Sequence, residues 1–140
     1  MYNPPANRIL CAFAAAVLLA GCGMSVTVID RSDTKTTVIH PKLEGEPAFK
    51  VLLGGAVRDI SIEDIRMIKI EPGESVNFEQ KIYYSAQVIL KDGSVLSESG
   101  TDSTYNRQCY ICVQNALVGK HRNSGYRIPL ENVSQIKIER

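Results

Sequence analysis

After residue 47 the chain alternates between apolar and polar positions with a period of about two. Its short apolar runs, such as 49–53, 82–90 and 109–118, are rich in Val, Ile and Tyr and are separated by Gly, Pro or Asp. Side chains of a strand point alternately to opposite faces, and β-branched and aromatic residues favour strands. The pattern therefore predicts an all-β domain of about seven to nine short strands, as a small sandwich or a partly open barrel.

One phrase of twelve residues occurs twice in this domain. ISIEDIRMIKIE begins at Ile60, IPLENVSQIKIE begins 68 positions later, and six of the twelve positions are identical. Asp64 and Asn132 are suited to start a tight turn by bonding backbone N–H groups, and the apolar residue after each, Ile65 or Val133, would lie under that turn. The phrase predicts two strand–turn–strand corners, whose closing strands bury four isoleucines: Ile68, Ile70, Ile136 and Ile138.

The first 22 residues follow a different pattern. A short polar segment with one positive charge, Arg8, precedes an uncharged apolar run from Ile9 to Ala20. A membrane-spanning helix needs about 20 residues, so this run is too short to cross a bilayer and instead fits the central region of a secretory signal peptide. We therefore expect an N-terminal signal helix that lies outside the β domain.

The apolar run ends in Leu19-Ala20-Gly21-Cys22. Here the chain resembles the bacterial lipoproteins, whose signal ends in a Leu, two small residues and a Cys. The resemblance implies that the thiol of Cys22 becomes a diacylglyceryl thioether and that residues 1–21 are removed as the signal peptide. It also implies that the new amino group is acylated, for example with palmitate. Two or three acyl chains, at about 0.8 kcal/mol per buried methylene, exceed what stable anchoring requires.

The same resemblance suggests where the protein resides and what it contacts. Gly23 rather than Asp follows the Cys, which by the sorting rule of enteric bacteria favours the periplasmic face of the outer membrane. The chain carries 16 Lys and Arg against 15 Asp and Glu, so its charge gives no argument for nucleic acid as a partner. We expect a membrane contact through the lipid on Cys22 and a partner that is an envelope protein or a glycan.

A second resemblance concerns the end of the chain. The segment ALVGKHRNSGYRIPLENVSQIKIE, which contains the second copy of the phrase, resembles a pattern found in small β domains of bacterial envelope proteins. It covers about 25 residues and implies no activity.

The polar stretch between Cys22 and the apolar runs predicts a tether. Residues 22–47 contain two Pro and many Ser, Thr and Asp, and only SVTVID and TKTTVI show weak strand character. We therefore expect a lipidated tether over 22–47 and a β domain over 48–140. Fully extended at about 3.3 Å per residue, the tether would reach roughly 80 Å.

The motif CYIC, from Cys109 to Cys112, is the main candidate for chemistry. A thioredoxin-like pair needs its first Cys at a helix N-terminus, whereas the neighbouring Tyr, Ile and Val favour a strand. Zinc would need two further ligands, and only His40 and His121 are available. The third interpretation is structural, as a disulfide or two packed thiols. A regular strand holds such residues about 10 Å apart, so a disulfide requires a bulge or turn, although an oxidising periplasm favours the bond.

The chain contains no G-x-S-x-G, no HExxH and no glycine-rich phosphate loop. We therefore expect a lipoprotein that is not an enzyme, holds no cofactor or metal, and presents its β domain for binding or assembly. Two alternatives remain open. One is a thiol-redox accessory that acts through Cys109 and Cys112, and the other is a small-ligand binder with a cavity inside a β-barrel.

Overall fold

The computed structural model of the protein describes residues 23–97, 100–101 and 109–140. The predicted signal peptide 1–21 and the predicted lipidation site Cys22 lie outside these residues. Within the described part the chain forms twelve strands, and every strand pair is antiparallel. The strands are β1 (Ser25–Asp30), β2 (Lys35–Leu43), β3 (Phe49–Leu53), β4 (Ala56–Ile60), β5 (Ile65–Phe78), β6 (Lys81–Leu90), β7 (Leu96–Ser97), β8 (Gly100–Thr101), β9 (Cys109–Cys112), β10 (Ala116–His121), β11 (Ser124–Pro129) and β12 (Val133–Glu139).

Ten of these strands form one sheet in the order β11-β10-β2-β1-β12-β5-β6-β9-β3-β4, and β7 and β8 form a separate pair. The sheet curls into an open half-barrel, which confirms the all-β fold and the partly open barrel. The strand number exceeds the predicted seven to nine. Two of the additional strands, β1 and β2, come from the segment that was predicted to be a tether.

The main core fills the concave side of the curled sheet, because each strand contributes every second side chain to it. Its fully buried members come from strands throughout the sheet, including Val26, Val28, Val38, Val51, Ile68, Val88, Ile111, Leu117 and Ile136. A second, smaller cluster lies on the opposite face and contains Leu52, Tyr83 and Cys112.

The predicted tether over 22–47 is wrong for residues 25–43. β1 pairs with β12 on one side and with β2 on the other, so it lies in the interior of the sheet. Val26, Val28 and Val38 are fully buried. The physical reason is the alternation of these valines with Ser and Thr. Thr is β-branched and favours a strand as Val does, so polar composition did not prevent sheet formation.

Both predicted corners are confirmed. Single 3₁₀ turns, Ile62–Asp64 and Leu130–Asn132, connect β4 to β5 and β11 to β12. Ile65 and Val133 are fully buried beneath these turns, and the four predicted isoleucines belong to the core: Ile68, Ile70, Ile136 and Ile138. The cap differs from the prediction. In the first corner the hydroxyl of Ser61, rather than the carboxylate of Asp64, accepts the hydrogen bond from a backbone N–H.

Two tight turns define the ends of β6. Glu79 and Gln80 both have positive φ and close the long hairpin between β5 and β6, as a two-residue type I′ turn requires. At the other end of β6, Gly93 has a φ of +93° and the carboxylate of Asp92 accepts two hydrogen bonds from Ser94, at 2.9 and 2.6 Å. The Asp-Gly pair therefore forms a tight turn after β6.

Candidate functional site

The first functional feature is the point where the sheet meets the predicted lipidation site. The described chain begins at Gly23, one residue after Cys22, and β1 begins at Ser25. Met24 is half-buried and packs against the main core. Two residues, Gly23 and Met24, therefore separate Cys22 from the sheet, where the sequence predicted a long tether.

We call the region around the start of β1 the Ser25 end, comprising Met24, Ser25, Ile39, His40, Pro41, Ile62, Glu63, Glu139 and Arg140. Ser25 pairs with Ile39 of β2 and with Glu139 of β12. A shallow surface pocket of about 490 Å³ lies here, lined by Met24, His40, Pro41, Ile62, Glu63 and Arg140. These residues come from four separate parts of the chain, so only the folded sheet brings them together.

Arg140 ties the last strand to the first corner within the Ser25 end. Its guanidinium donates hydrogen bonds to the carbonyl oxygen of Glu63 and, at 3.1 Å, to that of Ile65. One of these carbonyl groups belongs to the 3₁₀ turn and the other to the first residue of β5, and a cation is well suited to bind the carbonyl groups at the end of a helical turn. This contact fixes the corner against β12.

Among the residues that the structure describes, two large apolar side chains are exposed, Ile39 at 45% and Ile82 at 40%. Ile39 belongs to the Ser25 end, and its neighbour Val38 points into the core. Ile82 lies at the start of β6, beside the tip of the β5–β6 hairpin. Neither residue could be identified from the sequence, because exposure depends on which face of β2 or β6 points away from the core.

A disulfide between Cys109 and Cys112, one of the two structural alternatives, is absent from the structure. Both are free thiols, and β9 pairs without a bulge with β3 and with β6. Cys109 belongs to the main core, whereas Cys112 belongs to the cluster on the opposite face. A regular strand holds residues i and i+3 about 10 Å apart, beyond the reach of a disulfide. The two neighbouring strands keep β9 extended, so the turn that a disulfide needs does not form.

The environment of Cys109 opposes thiol chemistry. Cys109 is 1% exposed, and burial raises the pKa of its thiol to about 11. The Sγ atom lies 3.4 Å from the carbonyl oxygen of Ala86, to which the thiol donates a weak hydrogen bond. A redox or nucleophilic cysteine needs an accessible thiolate, favoured by a helix N-terminus or a nearby cation. Cys109 lies instead in the interior of the sheet, in β9, which pairs with β3 on one side and β6 on the other.

Cys112 lies in a small apolar cluster on the outer face of the sheet. It is buried beside Leu52 and Tyr83, and the ring of Phe78 packs edge-to-face on Tyr83 at a centroid distance of 6.4 Å. Burial raises the pKa of the Tyr83 hydroxyl. This cluster anchors the distal part of the β5–β6 hairpin to the sheet, which is a structural role.

The metal alternative finds no geometric basis in the described residues. His40 and His121 lie on the adjacent strands β2 and β10, five or more strands from β9 in the sheet order. His121 Nδ1 lies 2.9 Å from the carbonyl oxygen of Thr37. Across residues 23–97, 100–101 and 109–140, no three His, Cys, Asp or Glu side chains are grouped to hold a metal ion.

The cavity alternative receives little support from the concave side of the sheet. The side chains of the main core, such as Val26, Ile68 and Ile136, are fully buried, whereas a small-molecule site keeps an open cavity of roughly 300 Å³ or more. The concave side therefore serves as a packed core rather than a ligand cavity.

Comparison of the chain with protein-family models, with curated proteins and with solved structures yields no match. In the part of the chain that the structure describes, none of the helices has the length and apolar character needed to cross a membrane. The features of the chain that bear on function are consequently its N-terminal sequence and the geometry of the Ser25 end.

Proposed function

We propose that the protein is a lipoprotein of the bacterial envelope, anchored by acyl chains on Cys22, whose β domain serves binding or assembly rather than catalysis. The observation that carries the proposal is Leu19-Ala20-Gly21-Cys22 at the end of an uncharged apolar run preceded by Arg8. Lipid chains on the thiol and the new amino group give a membrane affinity that a single acyl chain would not provide.

The start of the sheet is compatible with this proposal. A peptidase that cuts before Cys22 must bind the chain in an extended form, and β1 begins three residues later at Ser25. Cleavage would therefore remove no residue of the β domain. Because Gly23 follows the Cys, the proposed location is the periplasmic face of the outer membrane.

The proposal of a non-catalytic role is supported by the state of the thiols. Cys109 and Cys112 face opposite sides of β9 and are both buried, so they cannot act together on one substrate. A catalytic site needs reactive groups held together in an accessible pocket. The proposed partner is an envelope protein or a glycan bound by the outer surface of the domain.

The experiment that tests the anchor compares two cysteine variants of the full chain. Cells that express Cys22→Ser or Cys11→Ser are fed a fatty-acid analogue, and the protein is isolated and examined for label. Cys11 lies within the apolar run of the predicted signal peptide, so Cys11→Ser controls for loss of a cysteine near the N-terminus. We expect wild type and Cys11→Ser to be labelled and fractionated with membranes, and Cys22→Ser to be unlabelled.

Equal label on Cys22→Ser and wild type would refute the anchor. Equal secretion of all three proteins without label would indicate instead an ordinary signal peptide, cut by the general peptidase.

A further inference from the structure

The short link between Cys22 and the sheet restricts where the domain can lie. Met24 packs on the core and Ser25 is paired on both sides, so Gly23 is the one residue between Cys22 and the fixed part of the chain. An extended chain advances at most about 3.6 Å per residue, so the Cα atom of Met24 lies within about 7 Å of that of Cys22. The headgroup layer of a bilayer is about as thick, roughly 5–7 Å.

We infer that the Ser25 end lies against the phospholipid headgroups of the membrane that holds the acyl chains of Cys22. This inference rests on the proposed lipidation. The occupant of the surface is the bilayer itself, because the link is too short to place another protein between Met24 and the headgroups. The domain is thus held directly on the membrane rather than roughly 80 Å away, as the predicted tether would have allowed.

The side chains at the Ser25 end suit a bilayer interface. Ile39 is 45% exposed and lies beside Ser25 in the sheet, so it stands at the level of the anchor. Met24 and Ile62 add apolar surface to the pocket there, and Glu63 and Arg140 carry opposite charges. Contact with the interface removes Ile39 from water.

The register of the sheet gives the separation between the Ser25 end and Ile82 along β6. Arg140 bonds the carbonyl of Ile65, and Ile65 pairs with Leu90, so Leu90 is connected by register to the Ser25 end. Ile82 lies eight residues along β6 from Leu90, roughly 26 Å at 3.3 Å per residue. Ile82 therefore serves as a reference position outside the Ser25 end, beside the tip of the β5–β6 hairpin.

Single tryptophans test this orientation, because the chain contains no Trp. Ile39→Trp and Ile82→Trp are matched variants, since both replace an isoleucine of similar exposure, one within the Ser25 end and one outside it. Each full chain is produced in cells, purified in detergent and reconstituted into vesicles of phosphatidylethanolamine and phosphatidylglycerol. Some of the lipids carry a nitroxide on the headgroup, which quenches nearby tryptophan fluorescence. Thermal melts establish that both variants are folded.

We expect headgroup nitroxides to quench the tryptophan fluorescence of Ile39→Trp several-fold more strongly than that of Ile82→Trp. A third protein carries Ile39→Trp and an insertion of about ten Gly and Ser residues between Gly23 and Met24, a flexible link of roughly 18 Å. Its quenching should fall towards that of Ile82→Trp. Undiminished quenching would contradict the argument that the short link imposes the contact.

Flotation of the vesicles separates the two ways in which the inference could fail. If the proteins float with the vesicles but Ile39→Trp and Ile82→Trp are quenched equally, the anchor stands and the orientation is refuted. If the proteins do not float, Cys22 carries no effective anchor, and the proposed function fails together with the membrane contact.

Discussion

Replacement of Val28 by Ala tests whether the segment before residue 48 belongs to the folded domain. Val28 is fully buried in β1 and faces the main core, with β12 and β2 on its two sides. Its neighbour Thr27 points to the opposite face, where its hydroxyl donates to Glu139 at 3.3 Å. Val28→Ala and Thr27→Ala therefore change adjacent residues of one strand on its core side and on its outer side.

The expected magnitudes follow from burial. Val28→Ala removes two methyl groups from a fully buried position, which costs about 1.6 kcal/mol in transfer and more for the cavity, or about 2–3 kcal/mol in all. For a domain of this size such a loss lowers the melting temperature by roughly 10 °C. Thr27→Ala loses an exposed hydrogen bond and some strand preference, about 1 kcal/mol or less.

The assay is urea unfolding of the mature chain with Cys22 replaced by Ser, followed by far-ultraviolet circular dichroism. We expect Val28→Ala to lower the midpoint clearly more than Thr27→Ala, with the same dependence on urea concentration as wild type. A tether outside the fold would leave both variants at the wild-type midpoint. That result would refute the placement of β1 inside the sheet.

Two further predictions concern close packing and the buried thiol. A Cβ on Gly119 would overlap Val38 Cγ1 and lie 2.8 Å from the carbonyl oxygen of Ile39, whereas one on Gly125 would meet nothing within 4 Å. Gly119→Ala should therefore lose about 2–3 kcal/mol of unfolding free energy and Gly125→Ala almost none, and equal melts would contradict this packing. Because the pKa of Cys109 is raised from 9.0 to about 11, only the unfolded chain ionises this thiol as the pH rises through that window. Stability should thus fall between these values, and Cys109→Ala with Cys112→Ala should show a shallower fall in urea titrations while still complementing a deletion strain. A folded double variant that fails to complement would assign the thiols a functional role.

The corners were predictable because their signals are local. Apolar residues at alternate positions of Ile-Lys-Ile, next to a polar residue that starts a turn, specify both the strand and its buried face. Ile68 and Ile136 consequently lie in the core as expected. The tight turn at Asp92 and Gly93 was predictable for the same reason.

The place of β1 and β2 was not predictable from composition. Each strand contributes few apolar side chains, such as Val26 and Val28, and the Ser and Thr between them are as common in tethers as in strands. Pairing with β12, whose residues lie more than 100 positions away, makes this segment a strand and not a tether. The Ser25 end could not be predicted for the same reason, since its side chains come together only when the sheet forms.

The Cys pair shows a conflict between two valid arguments. Strand geometry placed Cys109 and Cys112 too far apart for a disulfide, while the oxidising periplasm favoured the bond. The structure follows the geometry, because β3 and β6 pair with β9 on both sides and hold it extended. Two-sided pairing is a tertiary property that the motif itself does not contain.

Lipidation of Cys22 is the central claim, and mass spectrometry of the N-terminal fragment tests it most directly. The protein is purified from membranes of cells that express the unaltered chain, digested, and its most N-terminal fragment is identified. If Cys22 is lipidated, the fragment begins at Cys22 and carries a diacylglyceryl group on the thiol, with a further acyl chain on the amino group. A fragment that begins at any other residue, or that begins at Cys22 with a free thiol, would contradict it.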